Sequence, residues 1–360
     1  MTMRPVHPSP QPTPASPLDF RRVVNPYGPD WTLLQAVRDA DHAALPDPAY
    51  AAARRALAGL HHLDAAGVVP GLGLPDLVDR LIRAIGAGDG GLAVLGDPWD
   101  DVVPWLADRD TPARPIALPE RDAAGRSPLS GLALDGVKLL LVRPPEFRAG
   151  CPWGARDWHT LADRCAAVGA VVAVDESLAP FTARPVPGSL PGLVRLRSPG
   201  EAHGLPGVRA AYALLPGELA GRVAGLAAPS ALPAGTLAVL EALPGAAGFL
   251  HETLPRVLQH AGSLAAALER FGPVQHAGGP VVALRLPGAE AARTALAARG
   301  LLLGGDEETL LACTRRPGEN AALVAALAEH LGVGRGRQTE SPAPAGSRVG
   351  RGVFRLTGRR

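Results

Sequence analysis

The sequence predicts an α/β protein in which a large domain on a mostly parallel sheet is followed by a smaller αβ domain. Short aliphatic and β-branched runs alternate with alanine-rich segments of helical periodicity, which is typical of strands joined by crossover helices. After Ala234 the pattern changes and includes one long helical segment, which indicates a second domain. A length of 360 residues is ordinary for two domains.

Local apolar patterns predict the individual elements. Alanine-rich segments with apolar residues three or four apart predict helices at 31–44, 49–60, 76–87, 156–168 and 217–227. Aliphatic runs between them predict strands at 92–95, 137–142, 170–174 and 193–196. The second domain is predicted to contain helices at 235–243, 253–271, 289–299 and 320–331 and strands at 281–286, 301–303 and 309–313.

The two chain ends differ in composition from the rest. Eight of the residues in 1–17 are proline or serine, so this segment cannot bury enough apolar surface to offset its ordering entropy, and we expect disorder. Residues 334–360 carry seven arginines and one glutamate, whereas the whole chain has a net charge of +2. We expect a solvated basic tail. The alternative is a tail that binds nucleic acid weakly through phosphate contacts, or that binds an acidic partner.

The composition and motifs of the chain argue against several classes of protein. Hydrophobic residues make up 47% and charged residues 19%, which indicates a globular chain, and no apolar run approaches the roughly 18 residues of a membrane span. Cys151, Cys165 and Cys313 are odd in number and widely spaced, so we expect a reduced, cytoplasmic setting without a cysteine metal site. The Gly71-x-Gly73 pair lacks the third glycine of a dinucleotide fingerprint, and Ser198 has no G-x-S-x-G context.

Six stretches carry a family resemblance. They are NPYGP at 25–29, LPDP at 45–48, GLGLPD at 71–76, VAVDE at 172–176, RSPGEAHGLPGVRAAY at 197–212 and RRPGEN at 315–320. In this order they resemble motifs of class I/II aminotransferases, which are pyridoxal-phosphate enzymes of fold type I. The nearest resemblance is to histidinol-phosphate aminotransferases and threonine-phosphate decarboxylases.

The resemblance implies a three-layer αβα large domain with a mixed seven-stranded sheet, a smaller αβ domain and a homodimer with sites at the interface. It assigns residues 18–45 to an N-terminal arm of the small domain and 46–248 to the large domain. A linker helix and the small domain then occupy 249–334, and the basic tail occupies 335–360. The ligand is expected at the carboxyl ends of the strands.

The lysine that would bind the cofactor aldehyde as a Schiff base is replaced by Glu201. A carboxylate cannot form an imine, so the covalent and general-base roles are both lost. The only lysine of the chain, Lys138, begins a predicted strand and is about 16 Å from the opposite end, where the cofactor would lie. We therefore predict no catalytic lysine and a cofactor that, if bound, is not covalently attached.

Three residues match cofactor-binding positions of the family. Asp175 matches the aspartate that pairs with the pyridine nitrogen, and its alternative role is to cap the turn after a strand. Arg209 matches the phosphate-binding arginine, and its alternative role is an interdomain or surface ion pair. Gly73 matches a glycine of the phosphate-binding turn that precedes a helix in the family. Pro75 removes one of the backbone N–H groups that would bind the phosphate there.

Other positions depart from the family pattern. Gly200 replaces a hydroxyl residue, Leu45 replaces a tyrosine lent by the partner subunit, Glu146 replaces an asparagine, Leu178 replaces a tyrosine and Leu311 replaces the carboxylate-binding arginine. Glu146, Asp175 and Glu201 are expected to converge with His203 nearby, which would repel an anionic cofactor and favour an amine or a cation. The histidine spacing, including His61 and His62, does not favour a metal site.

Two functional hypotheses follow. The first is a degenerate aminotransferase-like protein, a pseudoenzyme that binds a small amine or amino-acid-like ligand or a partner protein. The second is a pyridoxal-phosphate enzyme of amino acid or amino phosphate metabolism, in histidine or cobalamin biosynthesis, that holds the cofactor noncovalently through Asp175 and Arg209.

Overall fold

The structure is a computed structural model that describes residues 17–96, 102–117, 128–144, 153–182, 190 and 192–333. The disorder predicted near the N-terminus and the basic tail predicted at the C-terminus lie outside these ranges, as does Glu146. None of the described helices combines the length and apolar character that a membrane crossing requires.

The described helices and strands alternate through most of the chain. The helices are α1 (Trp31–Asp39), α2 (Ala51–His61), α3 (Gly73–Ile85), α4 (Val102–Ala107), α5 (Ala155–Ala167), α6 (Gly200–His203), α7 (Gly217–Gly225), α8 (Ala234–Ala242), α9 (Ala247–Leu268), α10 (Ala289–Ala297) and α11 (Pro317–His330). The strands are β1 (Leu18–Asp19), β2 (Val68–Leu72), β3 (Leu92–Leu95), β4 (Arg114–Ile116), β5 (Leu139–Val142), β6 (Val171–Asp175), β7 (Leu193–Arg197), β8 (Ala210–Leu214), β9 (Val274–Gln275), β10 (Val281–Arg285), β11 (Leu301–Leu302), β12 (Gly304–Gly305) and β13 (Thr309–Cys313).

A mixed seven-stranded sheet forms the centre of the large domain. Its order is β2-β8-β7-β6-β5-β3-β4, and β8 runs antiparallel to both of its neighbours while the remaining pairs are parallel. The sequence indicated β3, β5, β6 and β7 but not β2, β4 or β8. Pro70-Gly71 in β2, Pro115 in β4 and the alanine-rich run of β8 are poor strand signals.

Helices cover both faces of this sheet, as the three-layer expectation requires. One face packs against α3, α4 and α7, with Leu81 and Leu196 in the shared core. The other face packs against α5 around Trp158 and against α1, α2 and α8 around Leu57. Successive strand residues alternate between these cores because strand side chains point to opposite faces.

The second group of elements forms two small sheets. The strands β12, β13, β10 and β9 make an antiparallel sheet that shares a core with α9, α10 and α11. The strand β1 pairs in parallel with β11, so the chain start joins the C-terminal elements.

Local side-chain chemistry sets several helix ends. Asp30 caps α1 by accepting a hydrogen bond from the backbone N–H of Thr32 at 2.9 Å. The helix predicted over 31–44 ends at Asp39 because Asp41 accepts the backbone N–H groups of Ala43 and Ala44, which favours a turn. The helix predicted from 76 instead starts at Gly73, since a proline is tolerated within the first turn.

Candidate functional site

The candidate site lies at one edge of the large sheet. The parallel strands β5, β6 and β7 end there, and β8 begins there because it runs in the opposite direction, with Ala210 opposite Leu72 at the end of β2. The four residues predicted for the site lie at or just beyond this edge: Gly73, Asp175, Glu201 and Arg209. We call these residues, together with Arg143 and Ser198, the strand-end site.

Asp175 is buried and is held through both carboxylate oxygens. Its Oδ1 accepts a hydrogen bond from the backbone N–H of Ser177 at 2.9 Å, which is the predicted turn cap. Its Oδ2 accepts a hydrogen bond from Nε of Arg143 at 3.0 Å. Val142 and Val174 pair in register, so Arg143 and Asp175 leave adjacent strands side by side. The guanidinium therefore neutralises the buried carboxylate.

Glu176 has a separate set of partners. Its Oε1 accepts a hydrogen bond from Nε of Arg195 at 2.8 Å, and its Oε2 lies 2.8 Å from Nη2 of Arg197 without the alignment of a hydrogen bond. The Glu176 side chain is completely buried, whereas the two arginines are about one fifth exposed. Two neighbouring carboxylates, Asp175 and Glu176, are thus neutralised by different arginines.

Glu201 lies in α6. Unlike Asp175, it forms no ion pair with another residue of the strand-end site. Its Oε2 accepts a hydrogen bond from Oγ of Ser198 at 2.8 Å. Burial raises the pKa of Glu201, and the nearby Asp175 charge adds to the rise, whereas the Ser198 hydroxyl and Arg143 oppose it. The protonated acid is therefore favoured relative to a glutamate in water.

Gly73 and Arg209 come into contact across the end of β2. Gly73 has a φ of +76°, which favours glycine, and a Cβ atom there would lie 2.8 Å from Nη2 of Arg209 and would displace the end of this side chain. The first turn of α3 already contains a carboxylate, since Asp76 accepts hydrogen bonds from the backbone N–H of Leu72 at 2.9 Å and from Arg80 at 2.7 Å. The exposed Arg209 guanidinium is thus beside a helix start that holds its own anion.

The segment 25–30 is fixed to α6. The backbone N–H of Asn25 donates to the carbonyl of Glu201, and that of Asp30 donates to the carbonyl of His203, each at 2.8 Å. Nδ1 of His203 also lies 2.9 Å from Oδ2 of Asp30. Burial lowers the pKa of His203, and the Asp30 carboxylate opposes that change. His203 therefore holds this segment and is not part of the expected carboxylate cluster.

His61 and Tyr212 form a polar pair beside the Glu176 arginines. Nε2 of His61 lies 2.8 Å from the Tyr212 hydroxyl. Burial, reinforced by the positive charges of Arg197 and Arg195, lowers the pKa of His61 to about 4. Burial raises the pKa of Tyr212 to about 12, so both side chains are neutral at physiological pH.

Acidification is expected to destabilise the protein through His61. The unfolded chain binds a proton on this side chain near pH 6.5, whereas the folded chain binds it only near a pKa of about 4. Stability is therefore unaffected above about pH 6.5 and falls as the pH drops towards about 4. The ring is partly exposed and screened by water, so we expect a loss of about 1 kcal/mol, measured by urea unfolding at a series of pH values.

His61→Gln is the control for this prediction. Glutamine can keep a side-chain hydrogen bond to Tyr212 but does not titrate, so its unfolding free energy should vary less over the same pH range. His203, whose pKa is also lowered, and Glu201, whose raised pKa acts in the opposite direction, are present in both proteins and cancel in the comparison. Equal pH dependence in the two proteins would contradict the assignment.

Lys138 lies at the far end of the large sheet from the strand-end site. It immediately precedes β5, is exposed, and its Nζ donates to the carbonyl of Gly86 at 2.9 Å. The expected surface position at the start of a strand is confirmed. No lysine is therefore present at the strand-end site.

The remaining predicted positions are spread over the fold. Leu45 is 86% exposed in the loop before α2, Leu311 lies in β13, and Leu178 is partly buried after β6. A Cβ atom on Gly200 would lie 2.9 Å from the Cα of Pro206, so this tight turn also requires glycine. Within the described ranges, no group of three or more His, Cys, Asp or Glu side chains could hold a metal ion.

The predicted cluster of three carboxylates differs from the observed arrangement. Glu146 lies outside the described residues, and Asp175 is neutralised by Arg143. Sequence reasoning missed the role of Arg143, although the strands predicted at 137–142 and 170–174 contained the signal. Two parallel neighbours that end at corresponding residues place their next residues side by side.

Comparisons with known proteins identify the fold. No family model matches the chain. The histidinol-phosphate aminotransferase of Roseiflexus castenholzii is 28% identical over 208 residues, so the match spans about half of that relative, 53% of each chain. The threonine-O-3-phosphate decarboxylase of Porphyromonas gingivalis is 18% identical with a TM-score of 0.72, covering 88% of this chain and 99% of that one.

Two solved histidinol-phosphate aminotransferases show the same similarity. The Clostridium acetobutylicum protein is 15% identical with a TM-score of 0.74, covering 87% of this chain and 98% of that one. The Sinorhizobium meliloti protein, solved in complex with pyridoxal 5′-phosphate, is 19% identical with a TM-score of 0.71, covering 87% and 90%. The chain therefore has the class I/II aminotransferase fold, type I, as the sequence motifs predicted.

Proposed function

We propose that this aminotransferase-fold protein does not carry out Schiff-base transamination and acts instead as a binding or partner protein. The observation that carries the proposal is the chemistry at position 201. Glu201 is a carboxyl group with a raised pKa that is hydrogen-bonded to Ser198, and the one lysine of the chain is at the opposite end of the sheet. The group that would attack a cofactor aldehyde is therefore missing.

The residues present do not fit pyridoxal phosphate, the cofactor that the fold implies. A protonated pyridine nitrogen would need the negative charge of Asp175, but this carboxylate is already paired with the Arg143 guanidinium. At the start of α3, Pro75 has no N–H group and the Leu72 N–H already donates to Asp76, so two donors of a phosphate cradle are missing. Arg209 beside Gly73 is the remaining favourable feature. These conflicts support a function that does not depend on the cofactor.

A small amine or amino-acid-like molecule suits the strand-end site better. With Asp175 neutralised by Arg143, Glu201 is the carboxyl group left to pair with an ammonium ion, and pairing would offset its burial. We also propose a homodimer, supported by the exposure of Trp31 and Leu45, and a cytoplasmic location, supported by the buried free thiols of Cys165 and Cys313.

Pyridoxal phosphate treatment followed by borohydride reduction tests the absence of a reactive amine. We expect no lysine-linked adduct at the strand-end site, because position 201 offers no nitrogen nucleophile. Peptide mass spectrometry measures the attachment. Lys138→Arg is the matched control, since any aldehyde labelling of the wild-type lysine should occur at this exposed side chain and vanish in the variant.

The opposite result would be unambiguous. Stoichiometric cofactor retained by the Lys138→Arg protein, together with transfer of an amino group from any donor, would overturn the proposed function. The second candidate, a pyridoxal-phosphate enzyme that holds its cofactor noncovalently, would then be favoured. Its support is the contact between Arg209 and Gly73 and the similarity to histidinol-phosphate aminotransferases.

A further inference from the structure

We infer that Arg143 closes the strand-end site to pyridinium-type ligands by acting as the internal counter-ion of Asp175. This inference rests on the proposed function and deepens it, because it assigns the exclusion of the cofactor to a second residue besides Glu201. Arg143 is a specificity-determining residue: it decides which cation the buried carboxylate accepts.

The hydrogen-bonding capacity of Asp175 supports this assignment. The carboxylate is 2% exposed, with Oδ1 held by the backbone N–H of Ser177 and Oδ2 held by Nε of Arg143. The Ser177 bond belongs to the turn after β6 and cannot be released without changing the backbone. A carboxylate oxygen can accept two hydrogen bonds. A protonated ring nitrogen would therefore either replace Nε of Arg143 on Oδ2 or bind this oxygen beside it.

Both arrangements are unfavourable for an incoming ligand. Replacement breaks one charge-assisted hydrogen bond to make another, so no net contact is gained. In either arrangement the guanidinium remains beside the site, so two cations share one carboxylate. In the absence of Arg143, the same ligand would gain a buried, unpaired carboxylate as its partner.

The inference also predicts the behaviour of a restored lysine. Glu201→Lys would place an ammonium group in a site that already contains the Arg143 guanidinium, which acts electrostatically on position 201. Restoring the nucleophile alone should therefore not restore cofactor attachment. Replacement of both Glu201 and Arg143 removes the extra positive charge and frees Oδ2 of Asp175.

Equilibrium binding of pyridoxamine phosphate measures the effect without needing a covalent bond. We expect Arg143→Gln to bind this probe at least about tenfold more tightly than the wild-type protein, the size of one hydrogen bond to a charged group. Arg143→Leu is the second variant, in case glutamine reaches Asp175. Thermal unfolding of each variant establishes that it is folded.

Two controls separate specificity from general electrostatics and from structural damage. Arg195→Gln removes an arginine of similar exposure from the neighbouring Glu176, and its affinity for the probe should match the wild type. Arg143→Gln/Asp175→Asn removes both members of the pair, so the affinity gain should disappear. A purely structural role of Arg143 would not make the gain depend on Asp175.

The outcomes distinguish this inference from the proposed function. If neither Arg143 variant binds more tightly, if Arg195→Gln gains as much, or if Glu201→Lys alone attaches pyridoxal phosphate as well as the double variant, the inference is overturned. The proposed function survives each of these results. It fails instead if the Lys138→Arg protein with Glu201 in place retains the cofactor and transfers amino groups.

Discussion

Glu176→Ala is expected to lower the free energy of unfolding by about 3 kcal/mol, the low end of the loss for breaking a buried ion pair. The Glu176 carboxylate is completely buried between Arg195 and Arg197, which approach it to 2.8 Å each. Its removal leaves two mostly buried guanidiniums without their shared counter-ion. Urea denaturation with an unchanged slope would measure this as a loss of stability.

The exposed ion pair between Arg285 and Glu308 supplies the control. Its separation of 2.9 Å is similar, but both side chains are about 70% exposed, so Glu308→Ala should change stability by less than about 1 kcal/mol. Similar losses for Glu176→Ala and Glu308→Ala would show that burial does not determine the contribution of these pairs, contrary to our expectation.

Gly28→Ala is expected to destabilise the protein by about 2 kcal/mol through overpacking. A Cβ atom on Gly28 would lie 2.6 Å from the Cα of Gly204 and 2.8 Å from the carbonyl oxygen of His203. Both neighbours are backbone atoms, so segment 25–30 must move away from α6. The movement would weaken the hydrogen bonds at Asn25 and Asp30 and expose the segment to proteolysis.

Gly221→Ala is the matched control for the same chemical change. Gly221 lies in α7, and a Cβ atom there would meet no atom within 4 Å. Alanine in an exposed helix position should stabilise the protein by about 0.5–1 kcal/mol. Gly28→Ala should therefore lower the free energy of unfolding and raise the rate of limited proteolysis, whereas Gly221→Ala should raise the free energy of unfolding and lower that rate. A neutral Gly28→Ala would refute the close fit between the two segments.

The fold could be predicted from the sequence because its signals are local or ordered along the chain. The strand β6, Val171–Asp175, was predicted at 170–174 and was therefore located to within one residue. The strands β2, β4 and β8 of the large sheet were missed because Pro70, Gly71, Pro115 and the alanines of 210–213 have low strand propensity, and pairing with neighbouring strands places them in the sheet. Tertiary context decided those elements.

The candidate site was only partly predictable because its charges are paired over long sequence separations. The pair Arg143–Asp175 depends on strand register, and the pair His203–Asp30 joins residues that are 173 positions apart. The predicted ends of β5 and β6 were consistent with the first pair, but the sequence did not show that these two strands are neighbours in register. No motif links His203 to Asp30, so that pair required the structure.

The pairing of Asp175 with Arg143 also bears on whether the stability of the protein depends on the supply of vitamin B6. A ligand that binds the native state stabilises it in proportion to its concentration, so enzymes that need a vitamin-derived group lose stability when the vitamin is scarce. Under the proposed function, a chain that supplies this cation from its own sequence has no such dependence. Its abundance in cells should be the same in vitamin B6 starvation as in plenty.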